Sequence, residues 1–209
     1  MRAARIARHP VVVGAIAYLA GSVPFSNLAA QARTGVDLRT VGDGTVSGTG
    51  LYRVAGVGPV VVAGVADVAK GALGPLLAGG RRPVLAAASG AVAVVGHDWS
   101  PFLRGAGGRG ISVAMGALVV RQWRGSAMLL AGVALGRVVD QAGFGGFVAD
   151  VALPPVLWRT NGWAGLLMAL AVVVPMLAKR LAGNHPPVRP GFVTFAHRLL
   201  LDREPGPER

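Results

Sequence analysis

The chain has no cysteine, only nine acidic residues in 209, and few aromatics, among them two tyrosines and six phenylalanines. Without cysteine there are no disulfides, no thiolate metal ligands and no thiol nucleophile. The shortage of charge is as restrictive. Charged residues make up 14% of the chain and hydrophobic residues 53%, and mean hydropathy is +0.55. An ordinary soluble domain carries roughly a quarter charged residues, so this composition reads as an integral membrane protein. The charge that remains is basic, a net +12. In a soluble chain that balance would suggest nucleic acid. Here the arginines stand in short groups between apolar runs, so membrane lipids and anionic substrates are the expected partners and nucleic acid is not.

Glycine is abundant, with 32 residues against roughly 7% in average usage, as suits helices packed closely in lipid. The apolar runs predict an all-α, polytopic membrane protein of about seven transmembrane helices, with glycine-rich polar loops on one membrane face. The expected spans are Val11–Ala32, Val54–Leu77, Val84–Gly96, a short one from Ile111 to before Arg121, Gly125–Val139, Ala142–Leu157 and Trp163–Leu181. The basic N-terminus followed by an apolar run is similar to a signal peptide. The run continues past signal length, so it is read as the first span. Trp99, Trp123, Trp158 and Trp163 fall near span ends, where aromatic belts lie. There is no internal repeat. Residues 1–183 read as one membrane domain and residues 184–209 as a proline-rich, charged tail, surface-lying or loose. The larger share of lysine and arginine lies on the side of Arg39, Arg53 and Arg109, which favours that side as cytoplasmic.

The most unusual stretch is VGDGTVSGTGLYR, Val41 to Arg53, which has no hydrophobic periodicity. Gly42, Gly44, Gly48 and Gly50 alternate with Asp43, Thr45, Ser47 and Thr49. Alternating glycines allow successive N–H groups to line a concavity for an anion such as phosphate. The hydroxyls and Arg53 add donors. The alternative is a flexible polar connection, and the lysine of a Walker motif is absent. A second polar stretch, Gly96 to Gly110, opens on His97 and Asp98 and closes on Gly107-Gly108-Arg109-Gly110, again amides and a cation before a helix. His97 is read either as a catalyst or as a structural hydrogen-bonder. Asp67 and Lys70, three apart inside the second span, share a helix face. They are either functional or a self-satisfied pair that fixes packing. Two crossings separate the two glycine loops, so both face one compartment.

These stretches, in order, resemble the acyl-phosphate-dependent glycerol-3-phosphate acyltransferases of bacterial membranes, the PlsY family, from Gly21 to about His185. GSVPF (Gly21–Phe25) is similar to that family's GS-I-PF. GDGTVSGTGLYR aligns without gaps on GSGN-x-GATN-x-x-R, and ADVAKG (Ala66–Gly71) on D-x-x-KG. GHDWSPFLRGAGGRG is similar to GH-x-F-P-x-F…GGKG, and LAGNH (Leu181–His185) to L-x-GTE. The resemblance implies transfer of a fatty acyl group from acyl phosphate to glycerol 3-phosphate, giving lysophosphatidate and phosphate. It implies a multi-pass protein of the bacterial inner membrane with cytoplasmic site loops. An acyl phosphate is already activated, so no metal, cofactor or covalent intermediate is implied. His97 would orient or deprotonate the attacking hydroxyl, unless a substrate phosphate takes the proton. Lys70 and Arg109 would neutralise phosphate charge. Ser22, Gly42, Gly44, Ser47, Gly48, Thr49, Arg53, Gly107 and Gly108 would hold substrate.

The chain also departs from the family pattern. Thr45 and Gly50 stand for two asparagines, Asp43 for a serine, Arg109 for a lysine and His185 for the terminal glutamate. The serine of an R-Y-x-S pattern is missing around Arg137–Asp140. The cations and glycines are kept while polar side chains change. A degenerate member that binds lipid or a partner is therefore a second reading, and an unrelated permease a third.

Overall fold

The computed structural model describes residues 9–187 and 189–204, so Arg2, Arg5, Arg8 and Arg209, which enter the balance of basic residues between the two membrane sides, lie outside the described residues. The described residues are helical, with no strand. The order is α1 (Pro10–Ser22), α2 (Phe25–Thr34), α3 (Gly48–Ala55), α4 (Val57–Ala78), α5 (Pro83–Asp98), α6 (Ile111–Val119), α7 (Trp123–Val138), α8 (Ala142–Ala182) and α9 (Phe192–Leu201). Single 3-10 turns, Leu38–Thr40 and Pro101–Leu103, lie in the two polar stretches.

Several expected boundaries move. The first expected span is broken between α1 and α2, because Pro24 lacks an N–H and disfavours helix at Val23, whose backbone is extended. The stretch from Gly48 is not loop but the short helix α3, with Ser47 as its N-cap: Gly50 N–H donates to Ser47 Oγ at 3.2 Å. Gly56 then turns the chain in a left-handed conformation (φ 79°), and the second span starts at Val57. The expected sixth and seventh spans hold: they are the two arms of α8, separated at Gly162 (φ 61°, ψ −152°) and folded back on each other, since Arg180 of the second arm reaches Asp150 and Gly143 O of the first. Three stretches are long and apolar enough to cross a bilayer unaided: Pro10–Thr34, Val57–Ala78 and Ala142–Ala182. α5, α6 and α7 have 16, 9 and 16 residues, below the ~20 of a straight crossing.

Small residues let the helices approach backbone to backbone. A Cβ on Gly21 would strike Ala93 of α5, one on Gly71 would strike Val113 of α6, and one on Gly116 would strike Val68 of α4. The main core gathers Val94, Val113, Leu118, Leu153, Leu157, Met168 and Met176. A second, smaller core of Ala30, Leu38, Val46, Leu51, Ala63 and Leu103 lies beneath the polar stretches and gives them a fixed shape. Large apolar residues such as Val61, Val62 and Val65 on α4 face outward, as lipid contact requires.

The tail, expected to be surface-lying or loose, holds a short helix. Residues 192–201 form α9 against α8, pinned by Arg198, whose guanidinium donates to the carbonyls of Leu181 (3.2 Å), Ala182 (2.9 Å) and His185 (2.8 Å) and pairs with Glu204. A cation on the last carbonyls of a helix is favoured by the helix dipole. A second buried cation, Arg180, lies 3.5 Å from Asp150 within the α8 hairpin. Trp99, expected in a belt, instead packs under Lys179, whose Nζ is 5.0 Å from the ring centroid.

Candidate active site

The break at Val23–Pro24 leaves two carbonyls without the intrahelical partners a continuous helix would supply. Ser22 O accepts from Ser100 Oγ at 2.6 Å, and Val23 O from Lys70 Nζ at 2.5 Å. Lys70 is buried on α4. Its Nζ is 2.7 Å from Asp67 Oδ1, 3.1 Å from His97 Nδ1 and 5.4 Å from the Phe25 ring centroid. An ammonium only donates, so Nδ1 of His97 accepts and the imidazole proton belongs on Nε2. That nitrogen points at Gly108, where a Cβ would collide with it. GSVPF, the Asp67/Lys70 face and His97 therefore meet at one point.

The second polar stretch closes over this point. Gly107 O accepts from Val46 N–H at 3.1 Å, which joins the two glycine stretches directly. Asn184 ties them further: its Nδ2 donates to Gly44 O (3.1 Å) and Gly107 O (3.0 Å), and its Oδ1 accepts from Gly107 N–H (3.0 Å). Gly108 N–H donates to His97 O at 3.2 Å. The amides of Gly107 and Gly108 are thus already hydrogen-bonded inside the protein. The glycines are required there by packing, since a Cβ on Gly107 would meet the carbonyls of His97 and Asp98, and one on Gly108 would meet Val46 O at 2.9 Å. This corrects the expectation that these two amides present themselves to an anion.

Arg109 is held on three sides. Its Nε lies 2.5 Å from Asp202 Oδ1, its Nη1 donates to Lys179 O at 3.2 Å, and its Nη2 is 3.5 Å from Asp43 Oδ2. Asp43 itself is turned onto its own loop. Oδ1 accepts from Thr45 N–H (3.1 Å) and Oδ2 from Thr45 Oγ1 (2.9 Å), an Asx turn whose serine equivalent is weaker. Asp202, beyond the membrane helices, carries a carboxyl that burial pushes above the usual carboxylate range, a shift opposed by Arg109 and Arg180.

The remaining expected residues divide. Gly42 is exposed and Gly44 buried, both left-handed (φ 60° and 71°). Gly48 and Thr49 are exposed in the first turn of α3, where N–H groups lack intrahelical partners. Ser47 caps that turn. Thr49 and Arg53, four apart, lie exposed on one face of α3. Ser22 is different: it is fully buried and its hydroxyl donates to Tyr18 O at 2.7 Å, closed in between α1 and α5. Asn184 and Asp202 were not singled out from the sequence. Asn184 lies inside LAGNH, so the motif could have nominated it; Asp202 carries no local signal. Asp98, which with His97 opens the second stretch but was given no role, is buried with neither carboxylate oxygen hydrogen-bonded, close to Gly110 just before α6. Among the described residues no cluster of three or more histidine or acidic side chains could hold a metal.

The joined stretches thus bring a buried ammonium, an imidazole and the Arg109 guanidinium to one end of the bundle, with the Ser47-capped first turn of α3 continuing from them in the chain, a set suited to phosphate. Comparisons with known proteins agree with that chemistry. The family model described as glycerol-3-phosphate acyltransferase matches residues 11–184. A glycerol-3-phosphate acyltransferase of Desulforudis audaxviator is 36% identical over 171 residues, covering 78% of this chain and 86% of the relative. One from Synechococcus sp. is 32% identical over 191 residues, covering 89% and 85%. The crystal structure of PlsY (YgiH), an integral membrane glycerol 3-phosphate acyltransferase, in its glycerol 3-phosphate form, aligns with a TM-score of 0.73 at 24% identity over 82% of this chain and 88% of that one. The chain is an integral membrane protein and belongs to the glycerol-3-phosphate acyltransferase family.

Proposed function

We propose that the chain transfers a fatty acyl group from acyl phosphate to the 1-hydroxyl of glycerol 3-phosphate, releasing phosphate and forming lysophosphatidate. The observation that carries this reading is the joining of three segments through Gly44, Gly107 and Asn184 around one group of cations. The first turn of α3, with Gly48, Thr49 and Arg53, receives the acyl phosphate. Arg109 and Lys70 offset the phosphate charge that grows as the acyl–oxygen bond breaks. His97, its Nδ1 engaged by Lys70, orients the glycerol hydroxyl through Nε2–H, and a substrate phosphate oxygen is the base that takes the hydroxyl proton. Glycerol carbon–oxygen bonds stay intact, the acyl–phosphate bond breaks, and the hydroxyl proton leaves with a substrate phosphate. On this reading the chain crosses a bacterial inner membrane about seven times, with both glycine stretches on the cytoplasmic face, the side that the larger share of lysine and arginine favours and where both phosphorylated substrates are met.

The test is phosphate release by the purified protein in lipid. Release that needs both substrates supports the reading; release from acyl phosphate alone keeps the donor and rejects the acceptor. Arg53→Ala is expected to lower kcat/KM about a hundredfold or more, since an exposed phosphate ligand is lost without disturbing a packed region. Wild-type kinetics in that variant would remove Arg53 from the site. Asn184→Ala loses the three bonds that join Gly44 and Gly107, and turnover is expected to fall about ten- to a hundredfold through misplacement of Arg109 and His97. Unchanged turnover would show that the segments hold together without it.

A second reading, a family member that binds lipid or a partner without turnover, draws on Asp43 and Asp202. Both carboxylates face the arginine that the first reading assigns to phosphate. No phosphate release from a folded protein would favour it.

A further inference from the structure

The family match ends at residue 184, and α9 lies beyond it. α9 is amphipathic in an unusual sense, with its polar residues inward and its apolar residues outward. Thr194 and Arg198 are buried against α8, with Thr194 Oγ1 donating to Arg189 O at 2.7 Å. On the opposite side, at helical spacing, Phe192, Phe195 and Leu200 face outward with Val193 beside them; Phe192 is 88% and Val193 61% exposed. In water this orientation wastes the apolar face. At a bilayer surface it is the stable one.

Position supports the same occupant. α9 lies across both ends of the α8 hairpin: a Cβ on Gly143 would strike Leu201, and Arg180 Nη1 donates to Gly143 O (2.9 Å) and Leu199 O (3.4 Å). Next to Gly143, Phe144 and Val148 also face outward, so the apolar arc of α9 continues a lipid-facing surface. Arg189 and Arg203 flank the helix, both exposed, and match anionic headgroups. Asp202 follows α9 directly, in a left-handed conformation (φ 56°) that turns its carboxylate onto Arg109 Nε. A helix of ten residues is marginal on its own; Arg198 ties its inner face to α8, and whatever covers its apolar face adds to what holds Asp202.

We propose that α9 is a membrane-surface helix, its Phe192, Val193, Phe195 and Leu200 arc sunk into the acyl boundary of an anionic leaflet, and that this contact keeps Asp202 on Arg109. Asp202 is then a positioning residue that fixes the guanidinium by its Nε edge. Only the assignment of Arg109 to phosphate rests on the acyltransferase reading above.

The absence of cysteine permits a clean probe. Phe195→Cys in the full chain, labelled with an environment-sensitive fluorophore in nanodiscs containing anionic lipid, is expected to show blue-shifted emission quenched by lipids carrying a nitroxide high on the acyl chain. Water-like emission overturns the proposal. So does blue-shifted emission without lipid quenching, which would mean that a second copy covers the face. In the same lipid, Asp202→Asn and the double variant Phe192→Asp, Phe195→Asp are expected to raise KM for acyl phosphate about tenfold with kcat little changed, and Asp202→Glu to return most of it. Wild-type KM in these variants overturns the link to Arg109. A wild-type protein that does not turn over acyl phosphate refutes the acyltransferase reading, while the fluorophore still decides the lipid contact.

Discussion

Lys70→Met is expected to abolish turnover and to destabilise the folded protein by about 3–5 kcal/mol, the usual consequence of leaving a buried charge without its partner. Lys70 and Asp67 are each nearly inaccessible and 2.7 Å apart on one face of α4. Methionine fills most of the volume but leaves Asp67 and His97 Nδ1 without their donor and Val23 O with only the Phe25 N–H. Adding Asp67→Asn removes the stranded charge, so the double variant is expected to recover most of the stability and none of the activity. Thermal unfolding in detergent and phosphate release in lipid read the two effects separately. A double variant that regains turnover would show that the pair serves only to fix packing, the alternative that the sequence left open. A single variant of wild-type stability would contradict the ion pair itself.

The second large effect is structural. Gly71→Leu and Gly116→Leu are each expected to prevent stable assembly, because both glycines lie where α4 and α6 touch through their backbones. A Cβ on Gly71 meets Val113 O, and one on Gly116 meets Val68 O, with Ala72 N at 3.0 Å. Backbone cannot swing aside as a side-chain tip can, so the helices must separate along their whole contact. Overpacking typically costs about 1–3 kcal/mol, and more where no side chain can yield. Even alanine should lower thermal stability by several degrees. Since Gly71 adjoins Lys70 and α6 starts directly after the Gly107–Gly110 stretch that packs on His97, the separation would also pull the ammonium away from His97. Gly14 and Gly64 have open space around the position of a Cβ, and alanine there is expected to be neutral within about 0.5 kcal/mol. Equal effects at Gly64 and Gly71 would contradict this packing.

Much of this was legible in the sequence, for identifiable reasons. Apolar runs mark membrane helices because the bilayer demands length and low charge, so the all-helical membrane class followed directly. Asp67 and Lys70 pair because three residues on a helix bring side chains together. The helix α3 was hidden because Gly48 and Gly50 are poor helix formers; its form is decided by the Ser47 cap and by Leu51 entering the small second core. Gly107 and Gly108 illustrate a degeneracy of the residue itself. A glycine that lets a ligand approach and a glycine that lets a backbone approach look alike in one sequence, and here the second use explains both. Asp202 was invisible for another reason. Its partner Arg109 is distant in the chain, and nothing in the last helix announces that the residue following it reaches Arg109. The Asp150–Arg180 pair escaped for the same reason, each partner lying in a separate half of α8.

The most direct measurement of the central claim is product formation by the purified chain in anionic lipid, supplied with long-chain acyl phosphate and isotopically labelled glycerol 3-phosphate. The account predicts labelled lysophosphatidate in stoichiometric balance with released phosphate, absent in Lys70→Met, Asp67→Asn despite its recovered fold. Labelled lysophosphatidate at the wild-type rate from that double variant, or none from the wild-type protein, would contradict it.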